Sequence, residues 1–272
     1  MRRTWPLFLL LGLAAPVGAT AGRPPDATPF VADGVIGTFG SDTGDATQVT
    51  SLVAASDSVV RFVVGFGRKD GLPAATLGPV CVEFLRSLRV IRIHLPSEVR
   101  DAAITERWFA QDFLRHAYVV GSLDEGNPLF VDLHLMDRPC VARAWVRSSP
   151  AVMVVELKPG GPAMPKERFN RGPDGGVVVL SPLGEHAAYP LEIAGYGHTF
   201  EANVVGRLRK DGAVVADTFT THAGPFGLWG EFRLRFPTGP RGKIELFVRG
   251  DSPGEGDEPR RERGVLVPLV IE

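Results

Sequence analysis

Between residues 200 and 250, apolar and polar side chains alternate with a period of two. Phe200, Ala202, Val204 and Leu208 fall on one side, Glu201, Asn203, Arg207 and Arg209 on the other. Phe232, Leu234 and Phe236 oppose Glu231, Arg233 and Arg235, and Ile244, Leu246 and Val248 oppose Lys243, Glu245 and Arg249. This pattern predicts antiparallel strands that bury one face. It places seven strands at 176–180, 190–195, 200–209, 213–220, 228–236, 243–249 and 264–271. Lys210-Asp211-Gly212 supplies the turn of a hairpin between two of them. Seven short strands in about 100 residues is the rhythm of an immunoglobulin-like sandwich. Pro268 cannot donate to a ladder, which puts its position at a sheet edge.

Upstream, residues 31–158 hold further strand-length runs between Gly, Asp, Ser and Pro clusters. They are Ser58–Phe66, Val80–Phe84, Leu88–Leu95, Leu129–Leu135, Cys140–Arg147 and Val152–Leu157. Ser97–Ile104 reads instead as a short helix opened by Ser97. Residues 159–175 cluster Pro and Gly without apolar periodicity and mark the domain boundary, while 22–30 read as a flexible, Pro-containing lead. The fold class expected is all-β: two β-sandwich domains in tandem, the second immunoglobulin-like.

The N-terminus changes the compartment. Arg2-Arg3, the apolar run Leu7–Ala15 and the small residues Ala19-Thr20-Ala21 make residues 1–21 a signal peptide, with an uncut anchor as the alternative. The expected location is exported, in the periplasm or cell envelope, with no transmembrane segment after cleavage. The 272 residues are 44% hydrophobic and 22% charged, enough for real cores. Lys+Arg 30 against Asp+Glu 31 leaves a net charge of −1, which argues against a strongly basic nucleic-acid binder. In an oxidising compartment the two cysteines, Cys81 and Cys140, favour a disulfide. Closing a loop of about 60 residues would be worth about 4 kcal/mol in the chain-entropy model. Two buried thiols are the other reading.

Several stretches resemble the Gmad2 family, the immunoglobulin-like domain of bacterial spore-germination proteins. They are Ser181-Pro182-Leu183-Gly184, Pro190–Gly197, Phe200–Val204, Lys210-Asp211-Gly212, Gly227–Phe236 and Val265–Ile271. The resemblance covers nearly all of 176–272 and departs from the family in the long charged loop 251–263. More faintly, Val60–Val64, Leu129–Leu135 and Ser149–Leu157 look like the AMIN-like domains that often precede Gmad2 in exported bacterial proteins. Both resemblances imply envelope domains that bind wall components or other proteins, and neither implies a catalytic residue.

The residues themselves carry little chemistry. The six histidines, at 94, 116, 134, 186, 198 and 222, show no metal-ligand spacing, so a zinc site would have to assemble across strands. Neither a nucleophile elbow nor a P-loop is present. Asp42 and Asp45 fit a plain turn better than any calcium loop. No cofactor is expected. The face bearing Glu201, Asn203, Arg207 and Arg209 is a solvated sheet face or a hydrogen-bonding surface for sugar or peptide. By alternation Phe247 points outward beside Lys243 and Glu245. His222, Phe226 and Trp229 surround the Gly-rich loop 223–230, where aromatic side chains present a stacking contact or cap the core. These four residues are the ligand-site candidates. The expected role is a non-catalytic envelope protein that binds peptidoglycan glycan or peptide. A protein–protein adaptor is the alternative, and an enzyme assembled across loops a third reading.

Overall fold

The computed structural model describes residues 28–166, 170–172, 176–182, 186–225, 227–250 and 264–272. The signal-peptide reading, the lead up to residue 27, the charged loop 251–263 and Phe226 lie outside these residues.

The described residues contain strands, two 3-10 turns and no α-helix. Eleven strands build the N-terminal sandwich: β1 Gly34–Phe39, β2 Gln48–Ser56, β3 Val60–Gly67, β4 Val80–Leu85, β5 Val90–His94, β6 Asp101–Ala102, β7 Glu106–Trp108, β8 Leu114–Gly121, β9 Leu129–Leu135, β10 Cys140–Arg147 and β11 Val152–Pro159. Nine follow: β12 Asn170–Arg171, β13 Val177–Ser181, β14 His186–Ala187, β15 Leu191–Gly197, β16 Asn203–Lys210, β17 Ala213–Thr221, β18 Trp229–Phe236, β19 Gly242–Gly250 and β20 Val265–Ile271. The seven expected C-terminal strands are all present, with β12 and β14 added. The start of the third is a 3-10 turn at Phe200–Ala202, in which Glu201 and Ala202 have φ of 55° and 60°. The stretch expected to be helical, Ser97–Ile104, is a turn followed by β6, which pairs in parallel with β2. Val99 is buried there, and its N–H closes the turn on the Pro96 carbonyl at 3.0 Å.

Three sheets result. One runs β10-β11-β3-β2-β6, another β14-β20-β19-β16-β17, and the largest β1-β4-β5-β9-β8-β18-β15-β13-β12 with β7 beside β8. The N-terminal sandwich closes over Leu52, Phe62, Phe84, Ile93, Leu133 and their neighbours. The C-terminal one closes over Ile193, Leu208, Phe232, Leu246 and Val267 among others. The largest sheet belongs to both sandwiches, because β8 of the first and β18 of the second pair in parallel at Val120–Trp229 and Gly121–Gly230. Glycines at these strand ends let the loop 223–224 lie directly against both strands. A Cβ at Gly230 would sit 1.4 Å from the Ala223 carbonyl oxygen, and one at Gly121 2.5 Å from the Gly224 Cα.

The cysteines do not form the expected disulfide. Both are free. Along β4 the buried positions are Val80, Val82 and Phe84, so Cys81 shares the other face with Glu83 and Leu85. Cys140 faces the core of the opposing sheet with Ala142 and Ala144. Bridging them would require β4 to turn over, since side-chain direction and Cα separation both constrain a disulfide.

Candidate binding face

The Gly-rich loop and the start of β18 feed the domain junction rather than a surface. Trp229 is 2% exposed and buried in a small core with Tyr118, Val120, Phe130, Val178 and Tyr196. Its ring meets Tyr118 edge-on at 4.9 Å and His198 at 5.5 Å. Of the two readings of this ring, stacking contact or core cap, its burial favours the core. His222 is half-buried. Its Nε2 accepts the Thr199 N–H at 3.4 Å and its Nδ1 lies 2.8 Å from the Ala223 carbonyl oxygen. Burial lowers its pKa. It fastens the loop and reaches no ligand surface.

Around this aromatic core lies a buried ionic lattice that sequence reading missed. Arg92 on β5 donates to both carboxylate oxygens of the fully buried Asp132 on β9, each at 2.8 Å. The Tyr196 hydroxyl of β15 donates to the same carboxylate from across the junction. Arg92 also reaches Glu231 of β18 at 3.4 Å and stacks on Phe130 at 4.0 Å. The second oxygen of Glu231 accepts from the Ser122 hydroxyl and the Leu123 N–H. Arg171 on β12 makes a two-pronged pair with Glu106 at 2.9 and 3.2 Å and donates to the Tyr118 hydroxyl at 3.0 Å. Burial works against the Glu106 charge, but hydrogen bonds from His116 and Arg171 hold its pKa down to about 2. Burial pushes His134 down to about 3 and lowers His116, which stacks between Trp108 and Tyr118. Arg92, Asp132 and Tyr196, and likewise Arg171, Glu106 and Tyr118, pair with one another as a structural lattice requires. Among the described residues, no three His, Cys, Asp or Glu side chains converge on a point that could hold a metal. Asp45 serves the fold, since its carboxylate accepts the Ala75 and Thr76 N–H groups and pins that loop.

The open surface of the C-terminal domain is the outer face of the sheet β14-β20-β19-β16-β17. Register sets its composition. Asn203 stands opposite Thr221, Val205 opposite Phe219, and Arg207 between Asp217 and Phe247. Leu266 follows Phe247 across β20. Phe247 does point outward, as alternation requires, yet it is only 4% exposed. The Arg209 guanidinium covers its ring at 4.4 Å, and Gly264 packs so closely that a Cβ there would lie 2.7 Å from it. Phe219, which sequence reading passed over, is 77% exposed. Two shallow depressions lie on this sheet. One of about 670 Å³ is lined by Asn203, Val205, Asp217, Thr218 and Phe219. The other, about 590 Å³, is lined by residues including Arg209, Lys243, Glu245 and Pro268. Amide, guanidinium and carboxylate groups around an exposed aromatic side chain suit a ligand with both polar groups and apolar faces.

The family model for Gmad2, the immunoglobulin-like domain of bacterial spore germination, matches residues 176–257. The match agrees with the sandwich of β13–β19 and stops within the charged loop, before β20. It does not reach the N-terminal sandwich, where the AMIN-like resemblance finds no support. No curated protein and no solved structure matches the chain.

Proposed function

We propose that this is a non-catalytic binding protein of the bacterial cell envelope that takes wall glycan or peptide on the outer face of its C-terminal sheet. The observation that carries the reading is Phe219, exposed beside the Asn203 amide and the Arg207–Asp217 pair on a rigid sandwich. An immunoglobulin-like domain is a common carrier of such surfaces. Among the described residues no helix is long and apolar enough to cross a membrane, which is compatible with export.

The test is co-sedimentation of the full chain with purified peptidoglycan sacculi over a salt titration. Binding that survives salt, and that weakens about tenfold in Phe219→Ala and in Asn203→Ala, is expected of a face built on one aromatic anchor. Absence of binding at low salt overturns the wall reading. A protein–protein adaptor is the second reading. It is favoured by the free edge of β17, whose Val214, Val215 and Phe219 are all exposed.

A further inference from the structure

Natural sheets guard their edges with charge, proline, bulges, short strands or a covering segment. Most sheet ends among the described residues are guarded. β6, β12 and β14 are two residues long, and β7 has three. β1 carries a bulge between Val35 and Gly37. The outer edge of β10 is capped where Val31 and Ala142 exchange hydrogen bonds at 2.7 and 2.8 Å. β20 has Pro268 where β14 no longer reaches. Beyond Gly230, β18 presents Glu231, Arg233 and Arg235. The longest strand at the end of a sheet among the described residues is β17. It is nine residues long, lies at the end of its sheet and pairs on one side only. Its bulge is confined to its beginning, where Val215 is the extra residue between the pairs Arg209–Val214 and Leu208–Ala216. The regular stretch Ala216–Thr221 holds one charge, Asp217, and no lysine or proline.

We propose that β17 pairs antiparallel with β17 of a second copy of this chain, about a two-fold axis through Phe219. The sequence of the strand is complementary to itself in that register. Phe219 meets Phe219 on the outer face, and Thr218 meets Thr220 on the inner face, both favoured cross-strand pairs. Asp217 falls opposite Thr221. The two Asp217 carboxylates are then four residues apart along the seam, about 13 Å at the strand rise. That exceeds the screening length of about 8 Å at physiological salt, so their repulsion is small. An isologous contact of this kind closes on itself as a dimer. It joins two outer faces into one sheet surface with the two Phe219 rings side by side, where a repetitive polymer would be held at two points.

Phe219 is exposed enough to be replaced without disturbing the fold, so the experiment uses charge at that position. Sedimentation velocity of the full chain should shift from a mass of 29.3 kDa toward twice that mass as the concentration rises through the micromolar range. Phe219→Lys and Phe219→Glu should each stay monomeric, because like charges then oppose across the axis. An equal mixture of the two should recover the dimer, because Lys then opposes Glu. A monomer at every concentration overturns the proposal, as does a dimer that both single variants keep or a mixture that stays monomeric. Sacculus binding is read separately. A dimer without wall binding removes only the proposed function, and wall binding by a strict monomer removes only the pairing.

Discussion

His134 shows how one buried side chain ties stability to pH. It lies wholly inside the domain junction, between the Tyr118 and Tyr196 rings, with Asp132, His116, Arg92 and Arg89 as its charged or titratable neighbours. An unfolded histidine takes up a proton near pH 6.5, whereas burial delays this to about 3 in the folded protein. Between those values the unfolded chain binds more protons. Stability is therefore complete above about pH 6.5 and falls as the pH drops toward 3, by on the order of 5 kcal/mol at the acid end. Glu106 adds a second loss from about 4.5 down to about 2, as protonation releases Arg171. Urea midpoints measured across this range should fall steadily in the native chain and more gently in His134→Gln. Equal slopes would refute the assignment. The cysteines give a second test at this scale. Cys140 is buried and burial pushes its thiol up to about 11, while Cys81 is half-buried on the outer face of β4. A thiol reagent should label Cys81 in the folded protein and Cys140 only on unfolding, and reductant should leave the melting temperature unchanged.

At the scale of elements, legibility followed whether polar and apolar residues alternate along the strand. β16, β18 and β19 alternate openly and could be read from sequence, as could the Asp211-Gly212 turn, where φ is 52° and 82°. β8 could not. Its residues from His116 to Gly121 are all buried, because the N-terminal core covers one side and the domain junction the other. β9 is buried along its whole length too, but Asp132 and His134 keep polar and apolar positions alternating there, whereas Tyr118, Val119 and Val120 run together in β8. Trp229 stayed ambiguous between surface and core, since a Gly-rich loop beside one sandwich gives no sign that a second sandwich lies against it. Phe247 was placed on the correct face, but alternation cannot foresee that Arg209 and Gly264 cover it. Arg171 sits in a Pro/Gly stretch that reads as a free linker, and only the fold brings Glu106 and Tyr118 to it. Two glycines separate conformational from packing demands. Gly212→Ala meets open space at φ 82° and should cost about 1 kcal/mol. Gly230→Val would drive a side chain into the Ala223 carbonyl and should lower the melting temperature far more, because the loop His222–Ala223 must part from β18 to admit it. Comparable losses in thermal melts of the two variants would contradict the close packing at that junction.

The whole molecule unfolds as its junction dictates. Each sandwich has its own core, the N-terminal one being the larger, so each has part of what independent folding needs. Pairing of β8 with β18, the aromatic cluster around Trp229 and the Arg92 and Arg171 lattices make each sandwich a surface on which the other completes its burial. Two units coupled this strongly should melt in one calorimetric transition. Trp229→Ala removes the ring at the centre of the junction, a change that costs about 3–5 kcal/mol when a buried aromatic is truncated. That loss falls on the coupling and leaves the two larger cores intact. The C-terminal sandwich, with the smaller core, should then melt first. The variant allows this to be read directly, because its described tryptophans, Trp108 and Trp145, both belong to the N-terminal sandwich. Their fluorescence should report the later transition, while far-ultraviolet circular dichroism records both. Coincident curves in Trp229→Ala would mean that the two sandwiches are held together by something other than this junction.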